Sequence, residues 1–146
     1  MPWFPVGPPI ISVMMYLYQE IPRRVTVWVE FDGPDVIVTK GVKIDVPDED
    51  PEDSRSVFYK LSFSITGAKK AFGVKYFSQV RDLLVQYYSQ KEAVKLISDF
   101  LLEHKVHFRI EEYWDDPMTR EDEDQPTRVW TDKAPSPDQT AYFFEE

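Results

Sequence analysis

Val25-Thr26-Val27-Trp28-Val29-Glu30-Phe31-Asp32-Gly33-Pro34-Asp35-Val36-Ile37-Val38-Thr39-Lys40-Gly41-Val42-Lys43-Ile44-Asp45-Val46 is the stretch that decides the fold. Val25, Val27, Val29 and Phe31 alternate with Thr26, Trp28, Glu30 and Asp32, the period-two pattern of a strand. Asp32-Gly33-Pro34-Asp35 is turn chemistry. Beyond it Val42, Ile44 and Val46 alternate with Lys43 and Asp45. Two such runs on either side of a tight turn predict an antiparallel hairpin. Gly41, inside the second run, predicts a bulge or bend.

Working outward, Ile10 to Tyr18 is strand-sized and rich in β-formers. It follows a Pro-rich arm that carries Pro2, Trp3, Phe4, Pro5, Pro8 and Pro9. Residues 1–19 hold no charge, but the prolines break any spanning helix and no basic region precedes the apolar stretch. Neither a transmembrane segment nor a signal peptide is therefore expected. On the other side, Val57, Tyr59, Leu61, Phe63 and Ile65 form the buried face of a further strand, which Thr66-Gly67 should end. Helical spacing begins at about Val74, with Phe77, Val80, Leu84 and Tyr87 on one stripe. Ser89-Gln90-Lys91-Glu92 matches a capping box and places a second helix there, with Val94, Ile97 and Leu101 as its core line. Val106, Phe108 and Ile110 alternate as a last strand.

The order β-β-β-β-α-α-β with short links predicts an α+β fold, an antiparallel sheet of about five strands covered on one face by two helices. A domain at residues 10–114 would stand between the arm at 1–9 and an acidic, Pro-containing tail at 115–146. That tail reads as extended, with Val129-Trp130 and Ala141-Tyr142-Phe143-Phe144 as apolar beads.

The chain has 146 residues, 42% of them hydrophobic, which is ample for a core. It has no cysteine, so disulfides, thiolate metal sites and a cysteine nucleophile are excluded. The net charge is −9 and unevenly spread. Residues 60–110 carry nine bases against four acids, whereas Asp45 to Asp53 and Glu111 to Asp124 are acidic. Phosphate binding favours an alkaline domain with a clustered basic stripe, so a sequence pI near 4.7 argues against nucleic acid.

Catalytic patterns fare poorly. Gly67 to Lys75 resembles a phosphate loop, but the glycines are six apart and Val74 separates Gly73 from Lys75. His104 and His107 are the only histidines, beside Glu103, and they straddle the expected helix-to-strand boundary rather than sharing a helix. The acidic loop lacks the spacing of a calcium loop, and no Gly-x-Ser-x-Gly context marks a serine nucleophile. No catalytic, metal or cofactor site is therefore assigned.

The expected function is a non-enzymatic, cytoplasmic protein-interaction module, an acidic inhibitor or adaptor that docks on a basic surface of another macromolecule, nucleic-acid mimicry included. Its expected contacts are Asp48, Glu49, Asp50, Glu52 and Asp53 in the loop, with Tyr113, Trp114, Asp115 and Asp116 where the tail begins. The carboxylates would steer and the aromatics would anchor. Two alternatives stay open. One is a structural subunit, or homo-oligomer, laced together by its terminal arms. The other is a single-strand binder with a basic helical face and a regulatory acidic tail.

Overall fold

The computed structural model describes residues 12–20, 25–44, 55–115, 125–137, 139–140 and 143. Six strands run in order along one antiparallel sheet: β1 (Ser12–Gln19), β2 (Val25–Asp32), β3 (Asp35–Ile44), β4 (Arg55–Ser64), β5 (Phe108–Asp115) and β6 (Arg128–Thr131). Three helices, α1 (Ile65–Phe72), α2 (Phe77–Tyr88) and α3 (Ala93–Glu103), lie between β4 and β5 in the chain. The α+β class holds, with six strands in place of about five and three helices in place of two.

The hairpin reads as its sequence demands. Val25 pairs with Val42 and Asp32 with Asp35, without a break in register, and Gly33 takes the left-handed turn conformation at φ 57°. Gly41 stays within that ladder rather than forming a bulge. The bulge falls in β1, where Leu17 is the extra residue between the Tyr16–Trp28 and Tyr18–Val27 pairs. Leu17 is buried in line with Met15, and the bulge also brings Tyr18, paired with Val27, against the core.

Alternation sends Val25, Val27, Val29 and Phe31 to the same face as Val36, Val38, Leu61 and Ile110, and all eight are buried. Val80, Leu84, Val94, Ile97 and Leu101 of α2 and α3 join that core, so the helices cover this face. At roughly 1.5–3 kcal/mol for each fully buried aliphatic side chain, this layer is the main source of stability.

α1 escaped the sequence reading because Ile65 and Thr66 continue the β-branched character of β4. Ser64 caps it: its Oγ accepts from the Gly67 N–H at 2.9 Å. Gly73 closes it in the left-handed region at φ 71°, and the next amide, Val74, donates back to the Lys69 carbonyl. Gly73 thus ends α1. Gly67 lies where α1 meets the α3–β5 connection; a Cβ there would stand 2.8 Å from Val106 Cγ1.

The expected Ser89–Glu92 capping box does not form. Glu92 precedes α3 without a side-chain cap bond, and its Oε1 lies 3.5 Å from Lys40 Nζ instead. An ion pair with a buried ammonium outweighs a cap that solvent can replace.

The stretch after 115 is not wholly a tail. Residues 128–131 form β6 against β5, and Trp130, Thr140 and Phe143 are buried in the domain. Apolar beads on an acidic string gain free energy by packing, and β5 presents an edge that β6 pairs. Among the described residues no helix is long and apolar enough to cross a membrane.

Candidate functional site

The face of the sheet away from the helices carries a platform of aromatic side chains. Period two assigns Met14, Tyr16, Trp28, Phe58 and Tyr113 to it, with Thr39, Gly41, Lys43 and Lys60 between them. Trp28 and Phe58 meet edge to face, their ring centroids 6.3 Å apart at 71°. Gly41 makes that approach possible: a Cβ there would stand 3.0 Å from Phe58 Cε1 and 3.4 Å from Trp28 Cζ3.

Two carboxylates hold the aromatic rings along their strands. Trp28 Nε1 donates to Glu30 Oε1 at 2.9 Å, and the Tyr113 hydroxyl donates to Glu111 Oε2 at 2.9 Å. Each pair is two residues apart on one strand, so both partners lie on one face. A hollow of about 290 Å³ opens on one side of the Trp28–Phe58 pair, toward Tyr16 and Lys43. A second, of about 300 Å³, opens on the other side toward Tyr113 and Lys60. Trp28 and Phe58 line both hollows.

Two acidic stretches of sequence are bounded by described residues at one end of this platform. Ile44 pairs with Arg55, and Ser56 pairs with Asp115. Ile44, Arg55 and Asp115, which bound the sequence stretches 45–54 and 116–124, therefore lie at the end of the sheet where Lys43 and Ser56 line the first hollow. The first segment holds six acids and no base, the second five acids and one base, Arg120.

Asp48, Glu49, Asp50, Glu52, Asp53 and Asp116, all selected from sequence, lie outside the described residues. Asp115 is the last residue of β5. Tyr113 and Trp114 are consecutive in β5 and so face opposite ways. Tyr113 joins the aromatic platform, whereas Trp114 packs against the core on the helical side. The two cannot anchor one partner together. Sequence reasoning passed over Trp28, Gly41 and Phe58. The signal was present: an aromatic on the Thr26–Glu30 face of β2 and a glycine within β3.

The opposite face holds a polar rung that crosses four strands. Lys40 pairs in register with Tyr59, Tyr59 with Glu112, and Glu112 with Arg128. Lys40, Tyr59 and Glu112 are buried. Glu112 accepts from Arg128 Nε at 2.9 Å and Nη2 at 3.3 Å. The Tyr59 hydroxyl meets the Thr140 hydroxyl, and Lys40 Nζ donates to the Phe143 carbonyl at 3.0 Å. Burial pushes the Tyr59 phenol well above its ordinary value; Thr140 opposes the shift and Glu112 adds to it.

The histidines do not converge. His107 Nδ1 lies 3.0 Å from Asp132 Oδ2, and the His104 ring rests on Phe100 with centroids 4.3 Å apart. Among the described residues no three His, Cys, Asp or Glu side chains group as metal ligands. The Phe108 N–H and His107 together hold the Asp132 carboxyl below the usual carboxylate range, the backbone donor being the larger cause.

The features define an aromatic platform on the sheet face away from the helices. The chain matches no family model, and comparison with the curated proteins and with the solved structures gives no match either.

Proposed function

We propose that the protein is a non-enzymatic binding module whose aromatic sheet face docks a basic protein surface, as an inhibitor or adaptor acting in the cytoplasm. One observation carries this reading: Ile44, Arg55 and Asp115, the residues that bound the two acidic stretches of the sequence, end their strands beside the aromatic hollow. Such a face offers both parts of a protein interface. The carboxylates of 45–54 and 116–124 raise the encounter rate with a cationic partner, an effect screened by salt. Trp28, Phe58 and Tyr113 supply anchors of the residue types that carry most interface energy. Glu30 and Glu111 already hold two of these rings, so less side-chain freedom is lost on binding. Asp48, Glu49, Asp50, Glu52, Asp53, Asp115 and Asp116 keep their role as the steering set. Tyr113 remains an anchor, and Trp28 takes the place of Trp114.

The test is capture from lysate, before and after nuclease treatment, by the wild-type chain and by Trp28→Ala, followed by affinity measurement with the purified species. The expected result is one stoichiometric basic protein whose affinity falls at least tenfold, about 1.4 kcal/mol, for Trp28→Ala at unchanged Tm. Its association rate should also fall with added salt. A partner indifferent to Trp28→Ala, or retention of nucleic acid alone before nuclease treatment, overturns the proposal.

A further inference from the structure

Two stretches that carry no motif separately, Ser64 to Lys70 and His104 to His107, meet in one cleft. Phe63 pairs with Phe108, so β4 and β5 bring the start of α1 and the α3–β5 connection to the same end of the sheet. Between them opens a cavity of about 660 Å³. Lys70, His104, Lys105 and His107 line it, and none of the described residues around it is acidic. In a chain of net charge −9 this is a local reversal of sign. Arg55, which bounds one acidic stretch, stands at the far end of β4, roughly 30 Å away at about 3.3 Å per residue.

The lysines of the cleft are uncommitted and its rings are held. Lys40, Lys91 and Lys95 each meet a carboxylate, whereas among the described residues Lys70 and Lys105 meet none. Asp132 fixes the His107 ring through Nδ1, and Phe100 supports the His104 ring. Ser64 Oγ accepts from the Gly67 N–H, which leaves its own O–H to donate. Lys105 is the most telling residue. Its amide donates to the Leu102 carbonyl and that of Val106 to the Leu101 carbonyl, just as Gly73 donates to Lys70 and Val74 to Lys69 at the end of α1. Gly73 takes this place at φ 71°, but Lys105 takes it at φ 56°. A lysine kept where glycine fits without strain points to a use for its ammonium.

We propose that this cleft binds a small organic phosphate. Lys70 and Lys105 neutralise the phosphoryl oxygens, Ser64 and the histidine rings donate to them, and Ala71 and Val106 wall the carbon skeleton. A cavity of this volume suits a whole small molecule rather than a single ion. The inference is independent of the aromatic platform, with which the cleft shares no lining residue.

The test is calorimetric titration of the full-length chain with glycerol phosphate, adenosine monophosphate, inorganic phosphate and a single-stranded oligonucleotide, all at one ionic strength. It is repeated on Lys105→Gly and Lys70→Gln. At least one of the two organic phosphates should bind saturably, one per chain, and about tenfold more tightly than inorganic phosphate. Lys105→Gly should weaken that binding about tenfold while Tm holds or rises, because glycine relieves the backbone as the cation is lost. Lys70→Gln carries the same expectation for affinity and leaves the backbone untouched, so an unstable Lys105→Gly does not spoil the test. No saturable binding of either organic phosphate, binding no tighter than that of the inorganic ion, affinity unchanged in both variants, or a response to the oligonucleotide alone overturns the proposal.

Discussion

Replacing Arg128 with Met removes the guanidinium from a carboxylate that solvent does not reach. Glu112 has 0% side-chain exposure, and Arg128 reaches it through two nitrogens. Breaking a buried ion pair from one side costs about 3–5 kcal/mol, because the remaining charge has lost its counter-charge and regains no water. The Arg128 side chain is itself 42% exposed, so water enters part of the vacated space. The expected loss is therefore at the lower end, about 3 kcal/mol. That is a large share of the ~5–15 kcal/mol of a typical domain, and at about 2–4 °C per kcal/mol it lowers Tm by ~6–12 °C. Urea unfolding followed by tryptophan fluorescence is a direct assay, since Arg128 Cζ lies 5.7 Å from the Trp130 ring centroid. The double variant Glu112→Leu/Arg128→Met should recover most of the loss, as apolar replacement of a buried pair is often neutral. A cost below about 1 kcal/mol for Arg128→Met alone would falsify the reasoning. Glu112 would then be hydrated or held by other groups, and the rung would not be a closed unit.

Gly67→Ala should destabilise the protein by about 1–3 kcal/mol, although alanine is the better helix former, because its Cβ meets Val106 Cγ1; thermal melts of Gly67→Ala with and without Val106→Ala check this, and no relief from the second change would point to another cause. Asp132 titrates below its unfolded value, so its contribution to stability is complete above about pH 4 and disappears as pH falls through the folded value. Denaturant titrations of the wild type and Asp132→Asn should therefore begin to converge as pH falls below about 4, and a constant gap would contradict the assignment. Gly73→Ala places a Cβ at φ 71° and should cost about 1 kcal/mol with little change elsewhere, measured by urea unfolding.

Much of this architecture was legible in local pattern. The β2–β3 hairpin followed from alternating valines around Asp32-Gly33-Pro34-Asp35, and the core line of α3 followed from helical spacing; on the expected stripe of α2, Val80 and Leu84 are buried but Phe77 and Tyr87 stay exposed. These signals are local, so neighbours in the chain suffice to read them. α1 was hidden because Ile65 and Thr66 look like strand while its caps, Ser64 and Gly73, stand nine residues apart. The Ser89–Glu92 box misled because Glu92 had a buried ammonium to answer, a partner 52 residues away.

The site divides along the same line. Sequence alone established an acidic, cysteine-free α+β chain whose carboxylates cluster in two segments, since charge and period are properties of the residues themselves. Only the tertiary structure decided that the residues bounding both segments, Ile44, Arg55 and Asp115, meet at one end of the sheet, that Trp28 and Phe58 close over Gly41, and that Tyr113 and Trp114 part to opposite faces. It alone aligned Lys40, Tyr59, Glu112 and Arg128 in one rung. Register across strands depends on turns and packing summed over the whole domain, and a one-residue slip would send every one of these side chains to the other face.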